Sequence, residues 1–205
     1  MKVLLINGSP KHDGNTATCL KEVAKTLETE GLKTEIVTVG NKNIRGCIAC
    51  GSCVTNGKCV FDDAVNDIAE KFKEADGIVV GSPVYYASAN GTLVSFLDRL
   101  FYSTHFDKTM KVGASIAVAR RGGTTATFDE LNKYFTISNM VVAASSYWNI
   151  AHGAKPGEVS EDEEGLSTMR NLGRNIAFLI KSIKLGKETF GLPDLETSAR
   201  TNFIR

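Results

Sequence analysis

The sequence predicts an α/β fold, a doubly wound five-stranded parallel sheet with helices on both faces. Short apolar, β-branched runs alternate with amphipathic stretches five times along 205 residues. Two of the runs stop at Gly-Ser-Pro, and most connections between elements are short. Strand–helix–strand units of this kind close as right-handed crossovers between parallel strands.

The elements follow in order. "KVLLIN" (2–7) is an apolar run halted by "GSP", the pattern of a strand buried on both faces. "NTATCLKEVAKTLETEG" (15–31) carries Leu20, Val23, Ala24 and Leu27 at helical spacing and ends on Gly31. "KTEIVTV" (33–39) is the second strand. "DDAVNDIAEKFKEA" (62–75) is a helix with acidic residues at its start, where the helix dipole favours them. "GIVVGSP" (77–83) is the third strand and "GTLVSFLDRLFY" (91–102) the helix after it. "VGASIAVA" (112–119) and "MVVAASSY" (140–147) are the fourth and fifth strands, flanking the helix "TTATFDELNKYFT" (124–136). A long helix over 163–186 closes the series. The expected organisation is one domain over residues 1–190, a cysteine-rich loop at 40–61 inside it, and a tail at 191–205. Loops as long as 40–61 in a compact domain are usually functional or disordered.

Composition narrows the classes. Hydrophobic residues make up 42% and charged residues 23%, with a net charge of +1, so nothing in the balance favours nucleic acid or an anionic membrane. No apolar run approaches the roughly 20 residues that span a bilayer, and "MKVLLINGSP" is too short for a signal-peptide core. The default expectation is a cytoplasmic, reducing location, where clustered cysteines bind metal or do redox work more often than they form structural disulfides.

"GSPKHDGNTAT" (8–18) joins the first strand to the first helix. It offers two glycines, the hydroxyls of Ser9, Thr16 and Thr18, and Lys11 and Asn15. Backbone N–H groups at a helix N-terminus form an anion site, and glycines let the chain wrap closely around the oxygens. The glycine spacing and Asn15 depart from a Walker A loop, and no G-x-G-x-x-G is present. A terminal monophosphate fits this loop best; an ordinary capped helix after a turn is the plainer reading.

With "GSPVYYASANGTLVSFLDR" (81–99) after the third strand and "ARRGG" (119–123) after the fourth, the chain resembles the flavodoxin-like NADPH-dependent FMN reductase family over about residues 1–150. With its cysteine cluster it is most similar to the iron-sulfur flavoprotein branch. The resemblance implies a sheet of order 2-1-3-4-5 and FMN bound at the carboxyl ends of the strands, at the switch between strands 1 and 3. It implies that Ser9, Lys11, Asn15 and Thr16 hold the phosphate. Pro83, Val84, Tyr85 and Tyr86 would flank the isoalloxazine, with Ser88 and Asn90 nearby. Backbone at Gly122 and Gly123, with Arg121, would approach the pyrimidine edge. Against this, one of the two tyrosines is expected to be a core aromatic, and Arg120 and Arg121 could be solvated charges.

Four of the five cysteines fall in "CIACGSCVTNGKCV" (47–60), spaced C-x2-C-x2-C-x5-C. Two-residue gaps place three thiolates around one compact centre, as in bacterial ferredoxin sites. Structural zinc sites more often pair two C-x-x-C units across a long spacer. Zinc, free thiols and a facultative disulfide remain alternatives to an iron-sulfur cube. The resemblance maps Cys47, Cys50, Cys53 and Cys59 onto the [4Fe–4S] ligands. Cys19, among apolar helix positions, reads as a buried structural thiol.

The cysteine loop leaves the edge strand 2 on the same side as the flavin loops, so it could face a neighbouring subunit. His12 could touch the phosphate or simply be exposed, His105 and His152 read as structural, and Trp148 as a core or pocket-wall aromatic. The tail, with Phe203 and Ile204, is expected to pack on another subunit of a homodimer or homotetramer. No Ser-His-Asp or H-E-x-x-H arrangement stands out, so the flavin would carry the chemistry. The expected function is an FMN-dependent oxidoreductase. It would pass electrons from NAD(P)H or ferredoxin to a small acceptor such as a quinone or flavin. The rivals are an electron-transfer flavoprotein serving a protein partner and a phosphate-binding regulatory domain that has lost flavin.

Overall fold

The structure is a computed structural model and describes residues 1–196; Phe203 and Ile204 lie outside the described residues. Strands β1 (Lys2–Asn7), β2 (Lys33–Thr38), β3 (Gly77–Pro83), β4 (Val112–Ala119), β5 (Val141–Val142) and β6 (Ile150–His152) alternate with helices. These are α1 (Asn15–Thr29), α2 (Ser52–Asn56), α3 (Ala64–Glu74), α4 (Gly91–Ser103), α5 (Thr124–Thr136) and α6 (Glu163–Phe190). The sheet is parallel, of order β2-β1-β3-β4-β5, with β6 also paired to β4. This is the flavodoxin-like doubly wound arrangement that the sequence implies.

Alternation along β1 explains the two-sided core. Val3 and Leu5 face α1 and α6, where they meet Leu20, Val23, Leu27, Leu172 and Ile176. Leu4 and Ile6 face α3, α4 and α5, among Phe72, Phe96, Leu97 and Phe135. Side chains of this size each gain roughly 1.5–3 kcal/mol on full burial, and β1, β3 and β4 are almost wholly buried. The edge strand β2 has no fully buried residue. Its Glu35 accepts from Lys71 and Lys2, which together hold the carboxyl below the usual range.

Three expectations are corrected. The fifth strand does not run over 140–147. Only Val141 and Val142 pair with β4, because α6 draws the following residues off the sheet. Ser145 Oγ donates to the Thr168 carbonyl (2.7 Å), Asn171 donates to Ser146 (3.0 Å) and Asn175 to the Ala144 carbonyl (2.8 Å). The chain rejoins β4 at β6, opposite Ala117 to Ala119. The last helix continues past 186 to Phe190 and ends at Gly191, whose positive φ (78°) suits glycine. The cysteine loop holds the five-residue helix α2, with left-handed glycines before and after it, Gly51 and Gly57. Among the described residues, no helix is long and apolar enough to cross a membrane.

Cys19 lies fully buried on α1 against the core. Burial, with the charge of Asp162 as a smaller cause, pushes its thiol from 9.0 up to about 12. Between these values the unfolded chain binds fewer protons than the folded one. Stability therefore falls as pH rises from about 9 to about 12, by at most roughly 1.4 kcal/mol per pH unit from this group. Urea titrations at pH 8, 10 and 11 should show this loss, and Cys19→Ala should flatten it.

Candidate functional site

The loops after β1, β3 and β4 meet at the carboxyl edge of the sheet. After β1 the chain turns on its own side chains: Ser9 N–H donates to Asn7 Oδ1 (3.0 Å) and Lys11 N–H to Ser9 Oγ (3.1 Å). α1 then begins at Gly14 with no side-chain cap. By contrast α3, α4 and α6 begin with caps from Asp63, Asn90 and Asp162. Among the described residues, no side chain therefore caps the first-turn N–H groups of α1, and Thr16 is buried beside them. Gly8 N–H bonds to the Gly81 carbonyl (2.8 Å), which ties this loop to β3. Gly40, after β2, lies so close that a Cβ built on it would fall on the Gly8 and Ser9 backbone.

After β3, residues 84–88 form a tight hairpin in which the N–H and carbonyl of Tyr85 and Ser88 exchange bonds. Its two central residues, Tyr86 (φ 52°) and Ala87 (φ 59°), are left-handed without being glycine. Such residues cost of order 1–3 kcal/mol each and persist only where surroundings enforce them. Glu130 on α5 supplies the enforcement, accepting from Ser88 Oγ (2.9 Å) and Ala89 N–H (2.8 Å). Gly123 (φ 88°) sits under the turn, where a Cβ would meet Ala87 Cα at 2.8 Å. α5, like α1, begins on a glycine with no side-chain cap.

Ser9, Lys11, Asn15, Thr16, Pro83, Val84 and Tyr85 line one cleft, joined by Gly14, Val118, Ala119, Arg120, Gly153 and Ala154. The other expected residues do not line it. Tyr86 projects fully into solvent, and Ser88 is turned onto Glu130. Arg121 and Gly122 are exposed, and Arg120 is the arginine at the cleft. Asn90 caps α4, accepting from Thr92 and Leu93 N–H. Asn15 is engaged from outside the loop: its amide donates to the Lys155 carbonyl (2.9 Å), and the neighbouring Gly153 and Ala154 line the cleft. His12 pairs with Asp13 at the surface. Tyr147 and Trp148 stack edge-on (5.0 Å) and are about half exposed, so Trp148 is not a core residue.

The four clustered cysteines line a second cavity, with Ile48, Val60, Phe61, Arg99 and Tyr102. It shares no residue with the first cleft. Cys53 is buried on α2, whose position is fixed by a 3.0 Å hydrogen bond between His105 Nε2 and the Cys53 carbonyl. Cys59 is held by Asn66, which accepts from its N–H (3.0 Å) and donates to its carbonyl (3.1 Å). Cys47 and Cys50 are exposed. Among the described residues, no three of His, Cys, Asp and Glu are placed to ligate a single metal ion. The cavity holds about 20 Å³, near the size of one water-sized sphere.

Arg99 was not singled out in the sequence and is the best-connected residue here. It is 1% exposed, and all five of its N–H donors find acceptors. Nε and Nη2 reach Cys59 Sγ (3.3 and 3.2 Å). Nη1 and Nη2 grip Asp63 (2.6 and 2.9 Å), and Nη1 also bonds the Arg45 carbonyl (3.2 Å). Burial works against its charge, but Asp63 and Cys59 outweigh burial and hold its pKa above the usual arginine value. Arg45 and Arg99 each lie 4.9 Å from the Phe61 ring centroid. The signal that could have found Arg99 is its register: it falls three residues after Phe96 and four before Ser103, on the buried face of α4.

The sequence pattern of the NADPH-dependent FMN reductase family matches residues 1–155. The chain belongs to this family. An iron-sulfur flavoprotein from Methanocaldococcus jannaschii is 37% identical over 192 residues, covering 90% of this chain and 100% of the relative. An iron-sulfur flavoprotein from Methanosarcina thermophila is 29% identical, covering 92% and 100%. The fold is similar to that of a solved flavodoxin from the domain Archaea, with a TM-score of 0.60 and 18% identity over 88% of this chain and 99% of that one. The matched region contains all three loops that meet at the cleft, after β1, β3 and β4.

Gly40→Ala tests how the cleft is built. The new methyl meets backbone, which cannot turn aside, so the variant should lose about 1–3 kcal/mol of stability. Urea denaturation of the two proteins measures this.

Proposed function

We propose that the chain binds FMN in the carboxyl-edge cleft and acts as an oxidoreductase. It would pass electrons from NAD(P)H or ferredoxin to a small acceptor such as a quinone or flavin. The observation that carries the reading is the start of α1 at Gly14 without a side-chain cap, within the cleft and inside the family's matched region. Free N–H groups at a helix N-terminus suit a phosphate, so the residues present fit FMN. Ser9, Thr16 and the first turn of α1 would hold the phosphate, with Lys11 adding positive charge. Pro83, Val84 and Tyr85 would wall the ring on one side, and Arg120 would bring a cation to the same cleft. The remaining expected contacts, Tyr86, Ser88, Arg121, Gly122 and Gly123, would act through the strained turn and the start of α5. Bound there, FMN supplies hydride acceptance and one-electron release.

The cysteine cavity is proposed as a [4Fe–4S] site. Thiolates around a cube stand farther apart than those around one ion, and N–H groups already aim at two of the sulfurs: Arg99 at Cys59, and Ala49 N–H at Cys47 (3.4 Å). The relatives' names support the same reading. Cys47, Cys50, Cys53 and Cys59 would be the ligands, Cys53 buried, Cys59 hydrogen-bonded to Arg99, and Cys47 and Cys50 exposed. Bound there, the cluster supplies one-electron transfer. The partner is proposed to be a small acceptor or a redox protein. A homodimer or homotetramer is supported by Phe178, Leu185 and Phe190, which are exposed along α6.

The test is purification under anaerobic conditions, an absorption spectrum with iron and sulfide counts, and NAD(P)H oxidation with small acceptors. Flavin absorbance that is absent and cannot be restored with FMN would sink the reading. Turnover only with a protein acceptor would favour the carrier. Gly14→Asp probes the anion site directly. Its carboxylate would cap α1 in place of the phosphate, at a backbone conformation (φ −90°) open to any residue. FMN affinity should fall roughly 10–100-fold, and riboflavin, which has no phosphate, should be affected far less in fluorescence titrations.

A further inference from the structure

We propose that Arg99 is a positioning residue: it fixes the Cys59 sulfur as the rigid corner of the cysteine cavity and, through two N–H···S bonds, sets the reduction potential of the centre held there. The inference rests on the reading of that cavity as an iron-sulfur site.

A buried guanidinium is costly, and exchanging a buried ion pair for apolar residues is often neutral or stabilising. Its presence on the inward face of α4 therefore calls for a role besides packing. Two of its five donors are spent on a thiol sulfur, at 3.2 and 3.3 Å. Hydrogen bonds to ligand sulfurs and nearby charge are the levers by which a protein tunes an iron-sulfur potential. Donors and positive charge both stabilise the more negative, reduced state. The planar fork matters as much as the charge: it spans Asp63 and Cys59 together, which an ammonium cannot do. Asp63 sets the opposing sign. Its carboxylate grips the same guanidinium at 2.6 and 2.9 Å and offsets its charge. Asp63 also caps α3, a task that asparagine performs equally well. Two other thiols differ in kind: Cys47 and Cys50 are exposed, and among the described residues no side chain donates to their sulfurs.

The experiment compares the full-length wild type with Arg99→Gln, Arg99→Lys and Asp63→Asn, each reconstituted anaerobically with iron and sulfide. Iron and sulfide are counted, and the midpoint potential is read by dye-mediated titration with EPR. Arg99→Gln should lower the potential by at least a tenfold shift in the one-electron equilibrium, about 59 mV, and weaken iron retention roughly 10–100-fold. Arg99→Lys should fall between it and wild type. Asp63→Asn should raise the potential. A merely structural tether would move both variants the same way or leave the potentials unchanged, and either result overturns the inference while leaving the cluster reading intact. Wild type that takes up no iron and sulfide overturns the cluster reading and this inference with it. Should Arg99→Gln fail to fold, Arg99→Lys and Asp63→Asn still carry opposite predicted signs.

Discussion

The structure depends on close backbone contact at one rim of the sheet. The turns after β1 and β2 touch each other and strand β3 through main chain, with Gly8 bonded to the Gly81 carbonyl and Gly40 pressed against Gly8 and Ser9. That contact fixes where α1 starts. It leaves the first turn of α1 open to the cleft, with no side chain of the loop turned back to cap it. The two-sided burial of β1, β3 and β4 keeps the rim in place, because none of these strands can shift without exposing one face of the core.

A second centre is organised by different physics. Around the cleft, positions are set by backbone hydrogen bonds and tight turns. Around the cysteines, a buried cation joins the Arg45 carbonyl, Cys59 and Asp63, while Asn66 holds the Cys59 backbone and His105 the Cys53 carbonyl. Helix α4 starts at its Asn90 cap, close to the strained hairpin, and its buried Arg99 reaches the cysteine loop. The helix is seated in the core by Phe96, Leu97 and Leu100.

Much of this was legible in the sequence because it is local. Alternation and helical spacing located β1, β3, β4 and most helices, since those elements are held by the residues that define them. The cysteine spacing likewise announced a shared cavity. The fifth strand was not legible, because it is broken by side chains of α6 some twenty-five to thirty residues away. Asn15 looked free for a ligand but is engaged by the Lys155 carbonyl, a partner 140 residues distant. Glu130 and Arg99 were passed over for a related reason. Glu130 resembles a solvent-facing charge until its partner hairpin is known, and Arg99, although in register with Phe96 and Ser103, has its partners Asp63 and Cys59 36 and 40 residues away.

The broken fifth strand also shapes how the molecule meets its neighbours. A long, flat outer strand would present a row of unpaired N–H and C=O groups, a template for stacking onto another chain. Here that border is reduced to two residues at β5 and three at β6, separated by a bulging excursion held to α6. The opposite border, β2, carries Lys33 and Glu35. Neither margin offers an uninterrupted apolar ladder, so the fold is guarded against runaway sheet-to-sheet polymerisation at both of its open sides.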